Sequence, residues 1–205
     1  MTARTPRLAR IGLPPDFGEA DVRPELPPGR HAERIEGLRA RMTQRGYDHL
    51  IVWADREHSA GIAFLTGFDP RFEEAILIVG SDGDPAILVG NECWGMAGAA
   101  PLPMRRILHQ DLSLPGQPRD RSGPLAGVLA DEGIAAGARI GVVGWKTYAD
   151  RATIEAPAFL VDELRRLTGP GGLVESASDL LIDPADGLRV INDVDQLAVF
   201  EWAGT

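Results

Sequence analysis

From residue 30 onward the apolar positions of this chain fall alternately at helical and at strand spacing. Between about Arg30 and Arg45, Ile35, Leu38 and Met42 recur at i, i+3 and i+7 among charged residues, and Gly46 supplies a stop. That is the stripe of an amphipathic helix. His49 to Ala54 is a short unbroken apolar run and reads as a buried strand. Residues 57–65 form a short helix closed by Gly67. Ala75 to Val79 and Ala86 to Val89 are apolar runs separated by Gly80-Ser81-Asp82-Gly83-Asp84-Pro85, which is the strongest hairpin signal in the chain.

The alternation continues to the end. Residues 92–99 are helical, Arg105 to Leu108 a strand, Asp111 to Gly123 a Pro- and Gly-rich loop, and Leu125 to Glu132 a helix ending at Gly133. Arg139 to Val143 is a strand. A helix over 156–167 places Phe159, Leu160, Leu164 and Leu167 on one face and is broken at Gly169-Pro170-Gly171-Gly172. Leu173-Val174 is a short strand, Ala177 to Leu181 a short helix, and Asp193 to Trp202 a last helix. Strands alternating with helices, plus one hairpin, predict an α/β fold in which a mixed sheet is flanked by helices on both faces. Residues 1–28, with Pro14-Pro15, Pro24 and Pro27-Pro28, read as an extended arm.

Composition narrows the picture. A chain of 205 residues, 44% hydrophobic and 25% charged, suits a globular domain that buries about 70% of its unfolded surface. No apolar run reaches the roughly 18 to 20 residues of a membrane span, and the first thirty residues lack the apolar core of a secretory signal. One cysteine, Cys93, leaves no internal disulfide framework. A cytoplasmic protein with no membrane partner is the expectation. The net charge of −9 is uneven: residues 1–45 carry nine Arg against six acids, and the acidic excess lies in the rest. The acidic body argues against nucleic acid, and the N-terminal arginines are scattered among prolines and acids rather than clustered.

One stretch carries more information than the others. In Phe64-Leu65-Thr66-Gly67-Phe68-Asp69-Pro70-Arg71-Phe72-Glu73-Glu74-Ala75-Ile76-Leu77-Ile78-Val79-Gly80 a helix ends at Thr-Gly, a loop carries Arg71 and Phe72, and an apolar strand follows. Upstream, Arg45-Gly46-Tyr47-Asp48-His49-Leu50-Ile51-Val52 joins a helix to a strand through a glycine; downstream stand Gly187-Leu188-Arg189-Val190-Ile191, then Asp195 and Ala198. In this order the motifs resemble the N-terminal domain of the creatinase/prolidase/Xaa-Pro aminopeptidase family over residues 30–205. The chain departs from the family's pattern at Phe64, where a Tyr is frequent, and at Asn192-Asp193 with Asp195, where Lys-Ser and a later Glu are frequent.

The resemblance implies a ribonuclease H-like α/β domain over 30–187, preceded by an arm over 1–29 and followed from 188 by the start of a linker helix to a catalytic domain that lies beyond this chain. It implies that the domain binds no cofactor itself. Divalent Mn, Co or Zn would be held by the C-terminal domain. It implies a homodimer, and a peptide or a small guanidino or amide substrate whose pocket this domain helps shape. A stand-alone binding module of the same fold is the alternative.

The residues offer few other chemistries. His31, His49, His58 and His109 form no His-Glu-x-x-His or paired spacing. Asp179, Asp183 and Asp186 lack the calcium-loop pattern and read as solvated loop acids. Cys93 next to Glu92 reads as a passive thiol, with a cysteine-dependent enzyme using His109 as the rival. Nucleophile-elbow and phosphate-loop motifs are absent. Three residues remain as substrate-binding candidates. Arg71 either binds a substrate carboxylate through its planar donor fork or pairs with Glu73 or Glu74. Phe72 either walls a pocket or anchors the loop in the core. Trp94 either covers a neighbour's active site, as the family resemblance implies, or packs locally.

Overall fold

A computed structural model describes Gly12, Gly18 and residues 22–204. Most of the Pro-rich arm expected over 1–28 lies outside the described residues. The chain divides into two compact units, 27–192 and a smaller one made of 1–26 with 193–205.

The larger unit is built on one six-stranded sheet. The strands are β1 (His49–Ala54), β2 (Ala75–Gly80), β3 (Ala86–Val89), β4 (Arg105–Leu108), β5 (Arg139–Val143) and β6 (Leu173–Ser176), in the order β4-β3-β2-β1-β5-β6. β2 pairs antiparallel with both β1 and β3, while the β3–β4, β1–β5 and β5–β6 pairs are parallel. Five strands therefore run one way and β2 alone runs back. The mixed sheet read from the sequence is present, hairpin included.

Side chains alternate across a strand, so the unbroken apolar run of β1 feeds two cores. Leu50, Val52 and Ala54 join Leu77, Val79, Ile87 and Val89 on one face. That face is covered by α1 (Arg30–Arg45), α2 (Ala60–Thr66), α3 (Trp94–Gly98) and α6 (Asp179–Ile182) through Ile35, Leu38, Met42, Ile62, Leu65, Ala97 and Leu181. Ile51, Trp53, Ile76, Ile78 and Leu88 face the other way, toward Leu129 of α4 (Leu125–Asp131) and Leu160 and Leu164 of α5 (Ala158–Thr168). Gly141 of β5 is required: a Cβ there would stand 2.7 Å from both Ala177 Cβ and Leu50 Cδ1.

Several boundaries differ from expectation, for local reasons. The helix expected over 57–65 starts at Ala60, because the Asp55 carboxylate accepts the amides of Glu57 and His58 and turns the chain first. The segment expected as helix over 92–99 is helical only from Trp94 to Gly98. A 3-10 turn over Gln110–Leu112 opens the loop that follows β4. β6 extends to Ser176, and α6 begins at Asp179 rather than Ala177. Phe159 does not share the buried face of Leu160 and Leu164. It is 52% exposed and makes a T-shaped contact with Trp53, with ring centroids 6.0 Å apart. Asp179 is no solvated loop acid, since its Oδ2 takes Arg45 at 2.6 Å and Arg151 at 2.8 Å.

In the smaller unit α7 (Val194–Ala203) starts at Asp193, whose Oδ1 accepts the Gln196 amide at 2.8 Å. The Arg23 guanidinium lies over the Trp202 ring, 5.5 Å from its centroid. Among the described residues no helix is long and apolar enough to cross a membrane.

Candidate functional site

Because β2 runs opposite to its neighbours, the loop entering it meets the loops leaving β1, β3 and β4 on one rim. Ala54 stands opposite Ala75, Ala75 opposite Val89, and Val89 opposite Leu108. Open α/β sheets present their crevices outside such carboxyl ends.

Arg71 and Phe72 sit in the loop between Gly67 and β2. Asp69 Oδ1 accepts the Arg71 amide at 2.9 Å, and Arg71 takes φ +58°. It is the one non-glycine residue with positive φ among the described residues, a conformation that costs a side-chain-bearing residue about 1 kcal/mol or more. The Arg71 side chain is exposed and makes no hydrogen bond or ion pair with any described residue. The alternative pair with Glu73 does not form, because Glu73 is turned inward and 1% exposed. Its Oε1 accepts the Glu92 amide at 3.1 Å and its Oε2 the Cys93 amide at 2.8 Å. Phe72 is 59% exposed and so does not anchor the loop in the core.

The segment held by Glu73 is the one that carries Trp94. Cys93 is fully buried and donates its thiol proton to the Pro70 carbonyl at 2.8 Å. Burial, with the charges of Glu92 and Asp69, pushes that thiol up to about 11. A buried thiol bonded to a carbonyl and pushed up in this way is not an activated nucleophile. Ser113 Oγ accepts the Asn91 amide at 2.9 Å, and Gln110 Nε2 donates to Asn91 Oδ1 at 2.9 Å. Gly90 must lack a side chain, since a Cβ would run into the Glu73 carboxylate and into Ser113. Trp94 opens α3, 37% exposed, with the Arg106 guanidinium 4.5 Å from its ring centroid and Arg106 Nη1 bonded to its carbonyl at 2.9 Å. Arg71, Phe72 and Trp94 thus sit on two segments that Glu73 and Cys93 fasten together. His109 is buried after β4, and burial holds its imidazole below the usual range, partly offset by Asp111.

The sequence reading missed a second group on this rim. His58 Nδ1 lies 2.9 Å from Asp55 Oδ1, and its ring stacks on Trp145 with centroids 4.0 Å apart. The Asp-x-x-His spacing was a usable signal; the loop after β5 that supplies Trp145 gave none. Among the described residues no group of three or more His, Cys, Asp or Glu side chains is arranged to hold a metal ion.

Comparison with known proteins gives a likeness of fold. No family model matches the chain, and no curated protein matches it. Among solved structures, the dipeptidase PepE of Mycobacterium ulcerans superposes at TM-score 0.55 with 17% identity, over 88% of this chain and 40% of that one. The recombinant prolidase of Thermococcus sibiricus does so at 0.56 with 16% identity, over 82% and 39%. A creatinase/prolidase-like N-terminal domain from Corynebacterium diphtheriae matches at 0.48 with 19% identity, over 72% of this chain and 96% of that one. The chain therefore spans about two fifths of the full-length prolidase and dipeptidase structures it matches. Its class is a mixed-sheet α/β fold shared with part of these prolidase and dipeptidase structures, and the likeness to the creatinase/prolidase family read from the motifs holds at the level of fold.

Proposed function

We propose that this chain is the non-catalytic, substrate-shaping domain of a metal-dependent Xaa-Pro peptidase or a related creatinase-like hydrolase. Arg71, Phe72 and Trp94 face the substrate of a C-terminal domain that supplies the divalent Mn, Co or Zn. The domain proper is 30–187, and the chain from 188 leads toward the catalytic partner. The setting is cytoplasmic, and the substrate a peptide or a small guanidino or amide compound.

The observation that carries this reading is Arg71. Its backbone is pinned in the left-handed region, its neighbour Glu73 is spent on holding the next loop, and its guanidinium is left without a partner. A planar donor fork in that state suits a carboxylate. In the full-length enzyme Arg71→Ala should lower kcat/KM by roughly tenfold or more, the worth of a charge-assisted pair, with the circular dichroism spectrum unchanged. An unaltered kcat/KM removes Arg71 from the site.

The same reading includes a homodimer in which the domain meets its neighbour. Sedimentation velocity on the full-length enzyme should show a dimer, and a monomer at all concentrations would overturn that part alone.

A further inference from the structure

The His58 ring is held at Nδ1 and on one face, and its Nε2 is left free. Its Nδ1 lies 2.9 and 3.1 Å from the two oxygens of Asp55. A carboxylate only accepts, so Nδ1 carries the proton. Asp55 is itself fixed by the Glu57 and His58 amides, both at 2.9 Å, and by Trp53 Nε1 at 3.4 Å. The imidazole lies on the Trp145 indole at an interplanar angle of 21°. With Nδ1 committed and the ring face covered, Nε2 is the remaining polar atom. It has no hydrogen bond to any described residue.

We propose that His58 Nε2 is a ligand-binding group on this rim, oriented by Asp55 and Trp145, which in the imidazolium form donates to a carboxylate oxygen of an amino acid or short peptide. Three features point to that ligand. An imidazole oriented by a carboxylate is prepared to work through its other nitrogen. When the ring is protonated, that nitrogen is a charged donor, which matches an anionic oxygen. The loop carrying the unpaired Arg71 enters the sheet on the adjacent strand, Ala75 opposite Ala54, about 4.8 Å away across the ladder.

The other charged groups near His58 are largely occupied. On its own loop Arg56 lies 3.5 Å from Glu57. On the loop after β5, Lys146 lies 3.9 Å from Glu155, which also accepts the Tyr148 hydroxyl at 2.6 Å. The inference rests on the reading of this rim as the substrate-facing side.

The test is a titration of the full 205-residue chain in mildly acidic buffer. The probes are glycyl-proline and its C-terminal amide, followed by histidine Cε1–H and backbone amide resonances. The His58 signal should shift saturably with the acid and not with the amide. His58→Asn keeps a polar atom near Asp55 but removes Nε2. It should weaken binding on the order of tenfold while leaving the urea midpoint unchanged.

Saturable shifts confined to the Arg71 loop would overturn this inference and leave Arg71 as the carboxylate site. Shifts at His58 without any at the Arg71 loop would support it and count against Arg71. No saturable shift at either place would overturn it, as would an equal response to acid and amide.

Discussion

The loop that enters β2 and the loop that leaves β1 are neighbours on one rim, yet they are fixed by opposite means. The first is bolted from inside: Glu73 is 1% exposed and Cys93 fully buried, and between them they hold residues 70 to 94 together. The second is tied from outside, through an Asp55–His58 pair whose side chains are 31% and 32% exposed. A buried carboxylate bonded to two amides is costly to break, because its loss strands polar groups in a dry site. A part-exposed pair is cheap to break, because water replaces it. The first loop can therefore hold Arg71 in an unfavourable backbone conformation. The second can present His58 but cannot contribute much to stability.

The largest expected effect tests the bolt. Glu73→Ala leaves the amides of Glu92 and Cys93 without acceptors and should cost about 3 kcal/mol or more of unfolding free energy. Asp55→Ala on the neighbouring loop should cost under about 1 kcal/mol. Urea denaturation of the two variants checks the contrast. Equal losses would mean that the two loops are not held differently after all.

This contrast also marks what the sequence could and could not disclose. The strands were legible because β1, β2 and β3 are apolar on both faces, and such runs announce themselves whatever surrounds them. The strand order was not, since nothing local says that β5 will pair with β1. In the sequence Glu73, like Glu74, is a candidate partner for Arg71. Its real partners lie 19 and 20 positions away, at Glu92 and Cys93, and only the hairpin brings them near. Spacing groups Phe159 with Leu160, Leu164 and Leu167 on one face, but one residue along a helix is a rotation of about 100°. Arg71, Phe72 and Trp94 were singled out from motifs. That they share one fastened rim came only with the fold.

A middle-sized effect sharpens the picture of the bolt. With its thiol pushed up to about 11 by burial and by the charges of Glu92 and Asp69, Cys93 is almost wholly protonated at pH 8. Alkylation of the folded chain should run slower than in urea by on the order of a hundredfold or more. Glu73→Ala should speed it, because the amide that fixes Cys93 is released. Rapid labelling of the folded wild-type chain would show that the segment opens readily and that the bolt is weak.

The smallest effect belongs to the outer tie and is read against pH. Burial works to raise the Asp55 carboxyl, but the hydrogen bond from His58 and the amides of Glu57 and His58 outweigh it and hold the group below its ordinary value. A carboxylate lowered in the folded state stabilises above its unfolded value, near 3.9, and loses that contribution as pH falls through the folded one. Asp55→Asn removes the charge at every pH. The stability gap between wild type and Asp55→Asn should therefore be present at about pH 5, remain under about 1 kcal/mol given the exposure of the pair, and close at more acid pH. A gap that persists undiminished at about pH 2 would mean that the charge is not what holds the loop.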